Sequence, residues 1–88
     1  MNNSQVLKAF TNGRAGSSKN GAFSTDGKSL YSYSLRIAVH RDSDIAVGDY
    51  TASGSYYSHT TSKHVGYARS LPGATVMVPE LFETIPQN

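Results

Sequence analysis

The 88 residues are enough for one hydrophobic core, so we expect a single domain over residues 1–88. Hydrophobic residues make up 38% of the chain and charged residues 16%, and serine, threonine, asparagine and glycine fill much of the remainder. The chain has no cysteine, which excludes disulfides and thiolate metal ligands, and it has no apolar run of about 18 residues that would span a membrane.

The two halves of the chain carry opposite net charge. Residues 1–41 contain six basic residues and one acidic residue, a net charge of +5, whereas residues 42–88 contain two basic and five acidic residues, a net charge of −3. This asymmetry predicts one basic and one acidic surface if the two halves occupy different parts of the fold. The alternative is an ordinary solvated surface on which both signs are mixed.

A short helix is predicted at the N-terminus. Ser4 can cap it, and Asn12-Gly13 supplies the left-handed conformation that commonly ends a helix. The apolar side of this helix consists of Val6, Leu7 and Phe10.

Residues 13–21, GRAGSSKNG, are predicted to form a mobile loop because glycine and serine dominate them. The segment does not match a Walker nucleotide-binding loop, since no glycine precedes Lys19 and no serine or threonine follows it. Its backbone amides, together with Arg14 and Lys19, suit loose contact with phosphate groups.

The clearest pattern is the alternation of apolar and polar residues between positions 31 and 40. The apolar series consists of Tyr31, Tyr33, Leu35, Ile37 and Val39, and the polar series of Ser32, Ser34, Arg36, Ala38 and His40. A period of two residues predicts one long strand with a buried face and an exposed face. Ile37 is therefore expected to be buried and Arg36 to be exposed.

Turn residues on both sides of this strand predict a sheet. Asp26-Gly27 favours a tight hairpin that pairs residues 22–25 with residues 29–39, and the polar turn at 41–44 leads to a third strand at 45–50. A further short strand at 75–78 is expected at the sheet edge. We predict an α+β fold: a small antiparallel meander of three to five strands, one helix packed on a face, and the short N-terminal helix.

A helix over residues 62–71 is predicted to cover the apolar face of the sheet. Thr60 or Thr61 can cap this helix, and Pro72-Gly73 can end it. The arc expected to face the sheet consists of His64, Val65, Tyr67, Ala68 and Leu71.

The opposite arc of that helix presents Lys63 and Arg69 on either side of Gly66 and Ser70. Two cations beside small residues let a phosphate group approach closely. An ordinary solvated helix face explains the same residues equally well.

The C-terminal residues 79–88 contain Pro79, which suits the first turn of a helix. Leu81, Phe82 and Ile85 are too apolar for a free tail. They are expected either to close the core or to bind a partner.

The histidines give little support for a metal site. His59 and His64 are five residues apart, which is not the four-residue spacing that places two imidazoles on one helix face. His64 is instead expected to be buried with a hydrogen-bonded ring, against Tyr31 or Tyr33. The sequence contains no spacing typical of a catalytic carboxylate pair or a nucleophile elbow, so we expect no enzyme and no cofactor. A small metal-dependent enzyme that uses His40, His59 and His64 is the alternative.

Three stretches of the chain resemble small uncharacterised bacteriophage proteins that carry a domain of unknown function. The matching stretches are Leu30-Tyr31-Ser32-Tyr33, Ile37-Ala38, and Tyr57-Ser58-His59-Thr60-Thr61-Ser62-Lys63-His64 followed by Arg69. The resemblance covers roughly residues 10–70. It implies a phage accessory protein in the bacterial host cytoplasm, and small phage proteins of this kind often bind and inhibit host machinery.

We therefore predict a non-catalytic binding protein whose partner is a host protein complex or nucleic acid, with no membrane partner. The predicted binding residues are Arg14, Lys19, Lys63 and Arg69. The alternative is a protein inhibitor of a host antiviral defence complex, resembling anti-CRISPR proteins in role. In that case exposed tyrosines and the apolar C-terminal segment would form the contact.

Overall fold

The computed structural model describes residues 1–51 and 58–86. Within them the chain forms an α+β fold of six strands and three helices. The helices are α1 (Asn3–Thr11), α2 (His59–Arg69) and α3 (Pro79–Phe82). The strands are β1 (Ala15–Ser17), β2 (Phe23–Asp26), β3 (Ser29–Ser32), β4 (Leu35–His40), β5 (Ile45–Gly48) and β6 (Ala74–Met77).

The six strands lie in the sheet in the order in which they occur along the chain. Neighbouring strands from β1 to β5 are antiparallel, whereas β6 is parallel to β5. The sheet is therefore mixed and larger than the predicted antiparallel meander of three to five strands. Helix α2 lies between β5 and β6 in the chain and returns the chain to the end of the sheet where β5 begins. Strand β6 therefore runs in the same direction as β5.

The predicted long strand is wrong, because the chain reverses at Tyr33 and Ser34. Ser32 of β3 is paired with Leu35 of β4, so residues 29–40 form a tight hairpin. Tyr33 adopts the left-handed conformation, with φ of 56°, that such a turn requires. A register irregularity between Leu30 and Tyr31 further disrupts the alternation.

This hairpin also changes the environment of Arg36. The side chain is buried, with 6% of its surface exposed, whereas an exposed position was expected; Ile37 is buried as expected. The Arg36 guanidinium lies 5.0 Å from the centre of the Phe82 ring and donates hydrogen bonds to the carbonyl oxygens of Ile85 and Pro86. Arg36 therefore attaches the C-terminal segment to the sheet.

Phe82 closes one side of the core, and it is almost fully buried. It packs so closely against Gly48 that a Cβ added there would lie 2.8 Å from the ring. Ile85 is half-buried against the core, but Leu81 is 56% exposed. The apolar C-terminal residues thus divide between core and surface.

Helices α1 and α2 pack on the other face of the sheet. The His64 ring of α2 stacks on Phe23, with ring centres 4.4 Å apart, and the Phe10 ring of α1 lies 4.4 Å from that of His40. The buried apolar core between these layers includes Val6, Leu30, Ala38, Val47, Val65 and Ala68.

Both long helices begin earlier than predicted. Asn2 rather than Ser4 caps α1, since its side chain accepts from the Gln5 amide while the Gln5 side chain accepts from the Asn2 amide. Ser58 caps α2 by accepting from the amide of Thr61, which places Thr61 inside the first turn. In both helices the capping side chain accepts from the amide three residues later. The capping residue can therefore be identified from sequence only if the first turn of the helix is already known.

Candidate nucleic-acid interface

One end of the sheet, the hairpin end, brings together the Tyr33 turn, the β1–β2 connection and the start of α1. The amide of Tyr33 donates to the carbonyl of Ala22, 2.8 Å away, which fixes the hairpin beside the β1–β2 connection. Lys19 lies on that connection. It lines a surface pocket with Met1, Asn2, Asn3, Ser18 and Asn20.

Arg14 lies toward the opposite end of α1, where its amide donates to the Ala9 carbonyl. Its side chain is exposed and lines a second pocket. The other lining residues are Met1, Gln5, Lys8, Ala9, Asn12 and Ala15. The two pockets share Met1 and follow α1 along the β1 edge. We call them together the α1–β1 groove.

The described lining of the α1–β1 groove is basic and contains no acidic side chain. Lys8 joins Arg14 and Lys19 there, although sequence reasoning did not select it. The three-residue spacing of Gln5 and Lys8 could have revealed it, since these two positions share one face of α1. Residues 15–17 of the predicted loop form edge strand β1, which gives the groove one wall.

Lys63 and Arg69 are exposed on α2, as expected, with Gly66 and Ser70 also exposed between and beside them. Lys63 lies near the start of the helix and Arg69 in its last turn. Helix α2 packs against β3 to β6 rather than against β1. The four predicted binding residues are therefore divided between the β1 edge and a second helix, and their union in one binding surface stays a prediction.

Acidic groups concentrate toward β5, β6 and α3. Asp44 forms a salt bridge of 2.6 Å with Arg41 and accepts a hydrogen bond from Thr75 of β6. These partners lower the pKa of Asp44 to about 2. Glu80 and Glu83 are exposed at α3, which packs against β5, and Glu83 lines a pocket with Ser34 and Arg36.

Two of the basic residues in the first half of the chain do not contribute free positive charge to the surface. Arg36 is buried, and Arg41 is paired with Asp44. Asp26, the acid of the first half, accepts hydrogen bonds from the amides of Ser29 and Lys28, which lower its pKa and bind it into the β2–β3 turn. The lowered pKa keeps Asp26 ionised, and this exposed residue is paired with Ala15 of β1. One carboxylate therefore lies near the α1–β1 groove, although it does not line either pocket.

A buried hydrogen-bonded chain links α2 to β3. Ser32 Oγ lies 3.0 Å from Thr61 Oγ1 and 2.7 Å from His64 Nδ1, and Ser58 Oγ donates to Thr61 Oγ1. Burial lowers the pKa of His64, and the charge of Lys63 lowers it further. The pair of Ser32 and His64 has the spacing of a nucleophile and its base, but Ser32 is fully buried and His64 is 3% exposed. We assign this chain to packing.

The histidines lie in three different settings. His40 Nε2 is 2.7 Å from the carbonyl oxygen of Phe10, His64 is in the hydroxyl chain, and His59 is exposed at the start of α2. His64 is buried as expected, although its ring stacks on Phe23 instead of Tyr31 or Tyr33. In residues 1–51 and 58–86, no three histidine or carboxylate side chains are grouped so that they could hold a metal ion.

Comparison of the chain with protein-family models identifies its family. A family model described as "Family of unknown function (DUF8033)" matches residues 2–74. The chain belongs to this family. The DUF8033 match confirms that the chain belongs to an uncharacterised family, and it begins at the Asn2 cap of α1. Apart from Met1, it contains the α1–β1 groove, together with Tyr33 and α2, whereas α3 lies beyond it.

Comparison of the DUF8033 chain with curated proteins and with solved structures gives no match. Across the part of the chain that the structure describes, none of the helices has the length and apolar character needed to cross a membrane. Tyr56 and Tyr57, two of the six tyrosines, lie outside the described residues.

Proposed function

We propose that this protein is a non-catalytic binding protein that contacts the phosphates of nucleic acid through the α1–β1 groove. The observation that carries the proposal is the basic lining formed by Lys8, Arg14 and Lys19, without a carboxylate among its described residues. Lysine and arginine side chains donate charge-assisted hydrogen bonds to phosphate oxygens. The groove thus offers several such donors along one edge of the protein.

Amide side chains support the same function. The groove also contains Asn2, Asn3, Gln5, Asn12 and Asn20. Such side chains commonly contact phosphate and sugar oxygens beside the cations. Lys63 and Arg69 on α2 extend the proposed contact if the ligand crosses from α1 to α2.

The biological setting is also a proposal. The resemblance to bacteriophage proteins supports an accessory protein that acts in the cytoplasm of a bacterial host. The nucleic acid would then belong to the phage or to the host.

The direct experiment is a fluorescence-anisotropy titration of a labelled oligonucleotide at low salt. Replacing Lys8, Arg14 and Lys19 together by alanine should abolish binding while leaving the melting temperature nearly unchanged, because the two lysines and the arginine are exposed. Lys28→Ala is the matched control, since Lys28 is an exposed lysine that lines a different pocket with Asp42. Absence of binding by the unmodified protein would contradict the proposal.

A second candidate function is inhibition of a host protein complex. The observation that favours it is an exposed apolar group at β6 and α3, formed by Val76 (41% exposed), Val78 (56%) and Leu81 (56%). Capture of a host protein from a nuclease-treated lysate, lost in the Val78→Ser and Leu81→Ser variants, would support this function. Capture that disappears after nuclease treatment would support the nucleic-acid function instead.

A further inference from the structure

The tip of the β3–β4 hairpin holds a tyrosine where a glycine or asparagine would fit better. Among the described residues, Tyr33 is the only non-glycine with positive φ. Positive φ in a bulky residue is sterically costly, and tight hairpins favour Asn and Gly at such positions. The Tyr33 side chain is also 55% exposed, so core packing does not explain the choice of tyrosine.

The position of Tyr33 connects it with the α1–β1 groove. Its amide bonds to Ala22, at the end of the β1–β2 connection that carries Lys19 and Asn20. Both of those residues are exposed and line the groove at the hairpin end. An exposed aromatic ring and a basic groove therefore meet at the same end of the sheet. Glu83 lies on the other side of the hairpin tip, where it lines a pocket with Ser34. Its carboxylate accepts a hydrogen bond from the Tyr50 hydroxyl.

We infer that Tyr33 stacks on an unpaired base and that the nucleic acid bound by the groove is single-stranded. The inference rests on the proposed function, since it needs the backbone to lie along the α1–β1 groove. Proteins that bind single strands combine a basic groove for the backbone with aromatic rings for the bases, because the faces of unpaired bases are accessible and those of a duplex are not. The strained backbone is held by the surrounding structure, through the Ser32–Leu35 pair and the hydrogen bond to Ala22, and such strain occurs often at ligand-binding sites.

The test compares Tyr33→Asn with Tyr33→Phe, using a labelled oligothymidylate and the same sequence annealed to its complement. Tyr33→Asn should raise the melting temperature, because asparagine tolerates the left-handed conformation. The same substitution should weaken single-strand binding by about tenfold or more, the range expected for one stacked base. Its salt dependence should stay that of the unmodified protein, because the phosphate contacts remain. Tyr33→Phe keeps the ring and should keep both the affinity and the melting temperature.

Three results would overturn the inference, and they differ from failure of the proposed function. Tyr33→Asn could bind the single strand as tightly as the unmodified protein, the duplex could bind more tightly than the single strand, or Tyr33→Phe could lose affinity as Tyr33→Asn does. In each case salt-dependent binding would still support the α1–β1 groove. If the unmodified protein bound neither probe, the proposed function and this inference would both be wrong.

Discussion

The burial of Arg36 depends on the Tyr33-Ser34 turn, which the alternation of apolar and polar residues does not predict. The guanidinium is buried beside Phe82 and donates to two backbone carbonyls of the C-terminal segment. Among the described residues, no carboxylate forms a salt bridge with this guanidinium, so the Phe82 ring and the two carbonyl oxygens are its partners. Arg36 therefore contributes to stability by holding residues 85 and 86 against the sheet.

Replacing Arg36 by alanine should lower the free energy of unfolding by about 2–3 kcal/mol, because hydrogen bonds from a charged donor are lost and the two carbonyls lose their partner. Urea unfolding followed by circular dichroism measures the change. Arg41→Ala serves as the control, since Arg41 is an exposed arginine whose salt bridge with Asp44 should add little to stability. Equal effects of the two substitutions would contradict the assigned role of Arg36.

His64 makes stability depend on pH. Its pKa in the folded protein lies below the ordinary value of 6.5, so the unfolded chain takes up a proton first as the pH falls. The stabilisation by neutral His64 is thus complete above pH 6.5 and is lost as the pH drops through 6.5 toward the lower folded-state pKa. In the unmodified protein, the urea midpoint should therefore fall as the pH is lowered from 8 to about 5.

His64→Gln removes the titrating group, so that part of the pH dependence should disappear, whatever the stability of the variant itself. His59→Gln is the matched control because His59 is exposed at the start of α2, and it should leave the pH dependence unchanged. A His64→Gln variant with the full pH dependence of the unmodified protein would show that another group causes it.

At the scale of elements, α2 contains a glycine that its packing does not require. A Cβ at Gly66 would meet no atom within 4 Å, whereas a Cβ at Gly48 of β5 would lie 2.7 Å from the Tyr50 ring and 2.8 Å from the Phe82 ring. Gly66→Ala should therefore raise the free energy of unfolding by up to about 1 kcal/mol, the difference in helix propensity. Gly48→Ala should destabilise the protein, because the aromatic rings must move. Thermal unfolding of both variants tests the contrast, and changes of the same sign would contradict it.

The sequence predicted those elements whose ends carry recognisable turn residues. Asp26-Gly27 marks the β2–β3 hairpin, and Asn12-Gly13 marks the end of α1, where Gly13 has a φ of 72°. The Tyr33-Ser34 turn has no glycine, asparagine or aspartate, and apolar alternation continues through it, so periodicity alone predicts one strand. Strand β1 was missed because Ala15–Ser17 contains no large apolar residue.

The candidate site was predictable in part. Composition identified Arg14 and Lys19 as exposed cations of a glycine-rich segment, and both line the α1–β1 groove. Lys8 was not selected because its role depends on the packing of α1 beside β1. The alternation predicts a core position for Tyr33, whereas the hairpin, which the alternation does not predict, leaves it exposed.

At the scale of the whole molecule, the charge asymmetry of the sequence becomes an asymmetry of the sheet. The strands lie in chain order, so β1 to β4 come from the basic first part of the chain and β5 and β6 from the acidic second part. A sheet with an interleaved strand order would have mixed the two signs. The simple order of the strands therefore gives a small protein of net charge +2 a localised basic surface.

The central claim, that the α1–β1 groove binds nucleic-acid phosphates, is tested most directly by the salt dependence of binding. Three phosphate contacts on a single strand predict a slope of about −2.1 in log affinity against log salt concentration, from roughly −0.7 per contact. Each alanine substitution at Lys8, Arg14 or Lys19 should reduce the slope by about 0.7, and Lys28→Ala should leave it unchanged. Binding with no salt dependence, or a slope that only Lys28→Ala reduces, would contradict the account.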